Sequence, residues 1–139
     1  RLDKESEGLL ILTNDGRLAY LLTHPSKGVI KRYDLCLDRQ PSLQELENFS
    51  NGVEVEGSWV KPIAVRRLPN IGHGEWIQIS LREGRKRELR VMAETHGFKV
   101  RRLIRTAIGG LGAMGLRPGE LREFSLERLT ELIGIGEKE

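Results

Sequence analysis

At 139 residues, with 38% hydrophobic and 31% charged side chains, the chain has the makeup of one globular domain with a core of its own, not of a disordered or fibrous polymer. A single cysteine, Cys36, excludes an intrachain disulfide, the scattered His24, His73 and His96 offer no zinc-site spacing, and no apolar run approaches the ~20 residues that span a bilayer. The net charge of +3 hides a segregation: from Arg82 to Arg105 nine basic residues face three acidic ones, a net of +6 that leaves −3 elsewhere and marks a polyanion binder.

The chain starts on Arg1-Leu2-Asp3 without a methionine or a signal sequence, so we expect a piece of a longer cytoplasmic protein. Gly8 to Thr13 predicts a buried strand, with Asp3 just ahead of it. A carboxylate there is either a solvated turn former or a group held rigidly at the rim of a cleft. Asn14-Asp15-Gly16 turns the chain into a short helix bearing Leu18, Leu21 and Leu22, which His24-Pro25 ends; Tyr20 on it reads as packing. Ile30 to Asp38 alternates as a strand, with Tyr33, Leu35 and Leu37 on one face and Arg32, Asp34, Cys36 and Asp38 on the other.

Ser42 and Glu45 form a capping box for a helix from Leu43 to about Phe49. Val53 to Val55, Val60 to Val65 and Trp76 to Leu81 predict strands, and Lys86 to His96 a helix with Leu89, Met92, Ala93 and His96 on one face, stopped by Gly97. Val100 to Ile108 predicts an arginine-rich strand, 109–112 a flexible turn, Glu120 to Phe124 a last strand, and Ser125 caps a final helix with Leu126, Leu129 and Leu132. Short connections and an excess of strands give an α+β domain, a mixed and mainly antiparallel sheet flanked by short helices.

Four segments, in order, resemble the motifs of pseudouridine synthases, in the RsuA/RluB/RluE/RluF branch that acts on ribosomal RNA. Arg1-Leu2-Asp3, with Ser6, Gly8, the apolar run and Thr13-Asn14-Asp15-Gly16, resembles the segment around the family's catalytic aspartate. Lys31-Arg32-Tyr33 resembles its Lys-x-Tyr motif, and residues 81–90 resemble its Glu-Gly-Arg-x-Arg-Gln-Val-Arg motif, with Glu88 where glutamine is usual. Leu103-Ile104-Arg105, Ile108-Gly109 and the run from Gly119 to Glu123 resemble the closing elements. The resemblance implies a pseudouridine synthase catalytic domain over 1–139, lacking its N-terminal part and carrying no S4-type RNA-binding domain. It implies isomerisation of specific uridines, in large-subunit ribosomal RNA, by a monomer without cofactor or metal.

The chemistry gives each residue type a reason. The N1 to C1′ bond breaks, the base turns, and C5 joins C1′, so no atoms are lost and no redox partner is needed. Asp3 would supply a carboxylate, ionised at neutral pH, at the sugar or the base. Arg90 occupies the motif position of the arginine that pairs with that aspartate; a phosphate contact is the other reading. Tyr33 would lie on the uracil and help remove the C5 proton, the alternative being a core tyrosine. Arg1 would enter the space left by the flipped uridine. Lys31, Arg85, Lys86, Arg87, Arg101, Arg102 and Arg105 would bind the RNA, largely through phosphates. Trp59 and Trp76 could stack on bases, although packing is the commoner role. The rival is a noncatalytic RNA-binding module on the same basic surface; a nuclease fits poorly for want of a histidine pair or carboxylate cluster.

Overall fold

A computed structural model describes residues 2–82 and 87–135, apart from the Pro25 side chain. Strand β1 is only Glu7–Gly8, followed by helix α1 at Gly16–Thr23, which the Asp15 side chain caps by accepting from Leu18 N, and by one 3-10 turn at Pro25–Lys27. Strand β2 spans Lys31–Leu37 with strict alternation of buried and more exposed positions. Helix α2, Leu43–Asn51, starts on the expected capping box, Ser42 with Glu45. A separate hairpin pairs β3, Val53–Val55, with β4, Ser58–Val60. Strands β5 (Ala64–Arg67) and β6 (Trp76–Leu81) precede helix α3 at Glu88–Thr95. Strand β7, Val100–Ile108, turns back into β8, Leu111–Gly112, and helix α4 closes the described chain at Leu126–Ile133.

The main sheet runs β1-β7-β2-β6-β5, with β8 on β7. Only the β1 and β7 pair is parallel, so the sheet is mixed and mainly antiparallel. One core cluster joins Tyr33, Leu35 and Leu37 of β2, Ile77, Ile79 and Leu81 of β6, Phe49 of α2, and Leu89, Met92 and Ala93 of α3. A second, smaller cluster joins Leu9, Leu18, Leu22, Val29 and Ile108 to Leu129 and Ile133 of α4. The residues at the N-terminal motif thus pack with the C-terminal helix. Gly109 makes that docking close: its N–H donates to Ile30 O at 2.7 Å, and a Cβ there would collide with the Ile133 carbonyl.

Three expected strands come out differently. The run 8–13 pairs only at Glu7–Gly8; Leu9 is buried and Ile11 packs on the second cluster, while Leu10 and Leu12 are exposed. The expected strand 60–65 divides at Lys61-Pro62, because proline has no N–H for the ladder, and Ile63 N resumes bonding to Ser80 O at 2.8 Å. Residues 120–124 form no strand, and Leu121 is 81% exposed. Tyr20 also differs from its packing assignment: it is exposed and its ring stacks on His24 at 4.6 Å.

Candidate active site

The register of the sheet sets a row of residues across its centre. Tyr33 on β2 lies opposite Ile79 of β6 and Arg105 of β7, and Arg105 lies opposite Gly8 of β1. Directly opposed residues share a face, so Tyr33 and Arg105 stand together on the side that α3 covers. Lys31, two residues before Tyr33 and on the same face, opposes Leu81 and Ile108. A register shift in the β2 and β7 ladder falls between Arg32 and Tyr33, so the pairing is irregular just where these side chains meet.

The segment carrying Asp3 is fastened onto this row from several sides. Asp3 O accepts from Ser6 N at 3.0 Å, which closes a four-residue turn with aspartate at its favoured first position. Arg90 Nη2 donates to Glu5 O at 2.9 Å from below the turn, its Nη1 reaches Val100 O at 3.4 Å, and its Nε lies 3.8 Å from the Glu5 carboxylate. Arg87 donates to the same carboxylate at 3.1 Å, and Arg102 grips Glu7 with both Nε, 3.0 Å, and Nη2, 2.6 Å. Arg105 holds the far end: its carbonyl accepts from Leu9 N at 2.8 Å and its Nε donates to Leu9 O at 2.9 Å. Gly8, at φ +107°, is what lets the chain pass this close, since a Cβ there would collide with the Arg105 backbone.

Burial shapes the titration of these groups. Desolvation pushes the Tyr33 phenol above its ordinary range, the Arg105 charge and a side-chain hydrogen bond to Arg105 pull it back, and the charges of Glu88 and Asp3 raise it again. Tyr33 is therefore protonated at neutral pH, and a phenolate formed there would meet the Arg105 guanidinium. Lys31 is lowered by burial and by Arg105, with Glu88 opposing. On the turn, Glu5 is lowered by its hydrogen bond to Arg87 and the charges of Arg87 and Arg90, and Glu7 by its bond to Arg102.

Several expected site residues are placed otherwise than expected. Arg90 does not pair with Asp3; buried to 8% exposure, its guanidinium is committed to the Glu5 and Val100 carbonyls and to the Glu5 carboxylate. Arg105 and Lys31, expected at RNA phosphates, are buried beside Tyr33, at 5% and 9% exposure, instead of lying on the open surface. Arg87, Arg101 and Arg102 are exposed, the first and last with carboxylate partners on the N-terminal segment. Arg1, Arg85 and Lys86 lie outside the described residues. Trp76 is buried, and Trp59 is exposed on the separate hairpin. Glu88, noted in the sequence only as a departure from a motif, is 3% exposed in the first turn of α3. Its spacing was the available signal, because it lies one helical turn before Met92, on the face that enters the core.

This fold, a mixed and mainly antiparallel sheet with short helices, is shared with a solved pseudouridylate synthase, at a TM-score of 0.81 and 25% identity over 94% of this chain and 56% of the other. The sequence profile described as RNA pseudouridylate synthase matches residues 1–95, and the chain belongs to that family. It is 36% identical over 132 residues to an uncharacterized RNA pseudouridine synthase of Aquifex aeolicus, covering 95% of this chain and 53% of the relative. To the ribosomal large subunit pseudouridine synthase E of Vibrio vulnificus it is 35% identical, covering 91% and 60%. To the synthase E of Xanthomonas campestris it is 34% identical, covering 88% and 73%. The chain thus spans little more than half the length of the first two of these relatives.

Proposed function

We propose that this chain carries the catalytic part of an enzyme that isomerises specific uridines of large-subunit ribosomal RNA to pseudouridine, acting as a cytoplasmic monomer without a cofactor. The observation that carries the reading is the row Gly8, Arg105 and Tyr33, which sets the Asp3 turn beside a buried tyrosine and a guanidinium. Asp3 supplies the carboxylate for the sugar or base step. Tyr33, with Arg105 to stabilise its phenolate, serves proton removal from C5. Arg90 is a positioning residue that reaches Asp3 through the carbonyl of Glu5. Arg87, Arg101 and Arg102, with Arg1, Arg85 and Lys86 from the sequence pattern, supply positive charge for the RNA backbone. The relatives named as large-subunit synthases support the choice of substrate.

The test is incubation with large-subunit ribosomal RNA fragments followed by mapping of pseudouridine. Product at a small set of defined uridines is expected. Tight binding without product would favour the noncatalytic RNA-binding reading, and shortened RNA would favour a nuclease.

A further inference from the structure

Among the described residues, four arginines hold residues 5–9 of the N-terminal segment, and they do so in two ways. Arg90 and Arg105, both buried, donate to the backbone carbonyls of Glu5 and Leu9 at 2.9 Å each. Arg87 and Arg102, both about half exposed, bond instead to side-chain carboxylates. Arg87 reaches Glu5 at 3.1 Å, and Arg102 grips Glu7 through Nε at 3.0 Å and Nη2 at 2.6 Å. A guanidinium committed to a carbonyl inside the protein is closed to an outside anion, whereas an ion pair in water exchanges at little cost, because solvent and salt screen it. The fork of Arg102 is already set in the two-point geometry that fits a carboxylate and a phosphate alike. The bonds to Arg87 and Arg102 hold the Glu5 and Glu7 carboxyls below their ordinary range, so both positions carry an anion at neutral pH. Residues 3–7, with three carboxylates against one lysine, thus lie as an internal polyanion along the basic stretch 82–105.

We propose that Glu5 and Glu7 occupy the positions of two backbone phosphates of the substrate RNA, and that binding exchanges these carboxylates for phosphates at Arg87 and Arg102. The carbonyl bonds of Arg90 and Arg105 keep the Asp3 turn in place during the exchange. The inference rests on the RNA-modifying reading above and adds to it two residues that set affinity. Exchange strands neither carboxylate: Glu7 is about half exposed to water, and Glu5, also exposed, keeps Arg90 Nε at 3.8 Å. The effect is selectivity, since an RNA has to place phosphates at both arginines to recover what the broken pairs cost.

The test is a double-mutant cycle on RNA affinity, read by filter binding to a single-stranded oligouridylate and to large-subunit ribosomal RNA fragments at one fixed salt concentration. The proteins are wild type, Glu7→Gln, Arg102→Gln and the double variant, with a matching set for Glu5 and Arg87. Glu7→Gln should bind about two- to fivefold more tightly, the range that an exposed ion pair can withhold. Arg102→Gln should bind more weakly, and its slope of log affinity against log salt on the oligouridylate should be shallower by about 0.7. In the Arg102→Gln background the gain from Glu7→Gln should vanish. A gain that persists there is long-range charge and overturns the inference, as does an affinity that falls or stays unchanged in Glu7→Gln. The sign separates exchange from a purely structural role, because losing a docking contact does not tighten RNA binding. Glu5→Gln should act in the same direction through Arg87, and an additive cycle at either pair contradicts the inference. Pseudouridine is mapped on the same proteins. A wild type that binds RNA but forms none sinks the isomerising reading alone, and the cycle still decides the exchange; a wild type that binds neither RNA overturns the inference outright.

Discussion

Strand β2 carries Tyr33 on seven residues bonded to β6 on one side and β7 on the other, whereas Asp3 stands on a four-residue turn held by a two-residue strand, buried guanidinium bonds and surface ion pairs. The first support is part of the cooperative core and fails only when the domain unfolds. The second is local, and it can open at a free-energy cost below that of global unfolding. If Asp3 has the catalytic role proposed above, stability and catalytic competence are separable in this molecule, and changes in the two supports should be told apart by which of the two they lower.

The largest effect on stability should come from the central strand. Leu35→Ala, at a fully buried position, should cost about 2–5 kcal/mol in denaturant unfolding, with turnover per folded molecule nearly unchanged. On the other support, Gly8→Ala should strain the chain by about 1–3 kcal/mol and push it off the Arg105 backbone, so that turnover falls at least tenfold while RNA affinity, read by filter binding, changes little. Arg90→Met keeps the buried volume but removes the donor to Glu5 O; about 1.5–3 kcal/mol of local stability should be lost, seen as faster amide exchange at residues 4–9 and not as an equal fall in global stability. A global loss of the same size from Arg90→Met would break the distinction between the two supports.

The smallest effects belong to the surface pairs. Glu7→Gln should change global stability by no more than about 1 kcal/mol, because Arg102 and Glu7 are both about half exposed. Acid sharpens the same comparison. Glu5 and Glu7 have folded-state pKa values below the ordinary 4.5, so their contribution is complete above that value and is lost as pH falls through the lowered ones. Amide exchange corrected for pH should therefore rise at residues 4–9 below pH 4.5 before it rises in β2.

The same contrast explains what was legible in the sequence. The alternation of Tyr33, Leu35 and Leu37, the capping box at Ser42 and Glu45, and the Ser125 cap each follow from a local rule, and the structure has all three. The run Leu9 to Leu12 has the composition of a strand but no neighbouring strand to pair with past Gly8, and pairing is a tertiary fact that composition does not carry. The same holds for 120–124. Within the candidate site the missing information was burial. Arg105, in a +6 segment, read as a surface phosphate contact, yet it turns inward because the Leu9 carbonyl is offered to it from some 96 residues away, and Arg90, read as the partner of Asp3, bonds instead to the carbonyl of Glu5, 85 residues away.

The role proposed for Asp3 as the reacting carboxylate is open to one direct measurement, the RNA affinity and pseudouridine yield of Asp3→Asn beside the wild type. The substitution keeps the size of the side chain, and it leaves untouched the Glu5, Glu7 and Leu9 bonds that dock the turn. Affinity within a few-fold of wild type with no detectable pseudouridine is the expected result, and pseudouridine formed by Asp3→Asn at a rate near that of wild type would contradict it.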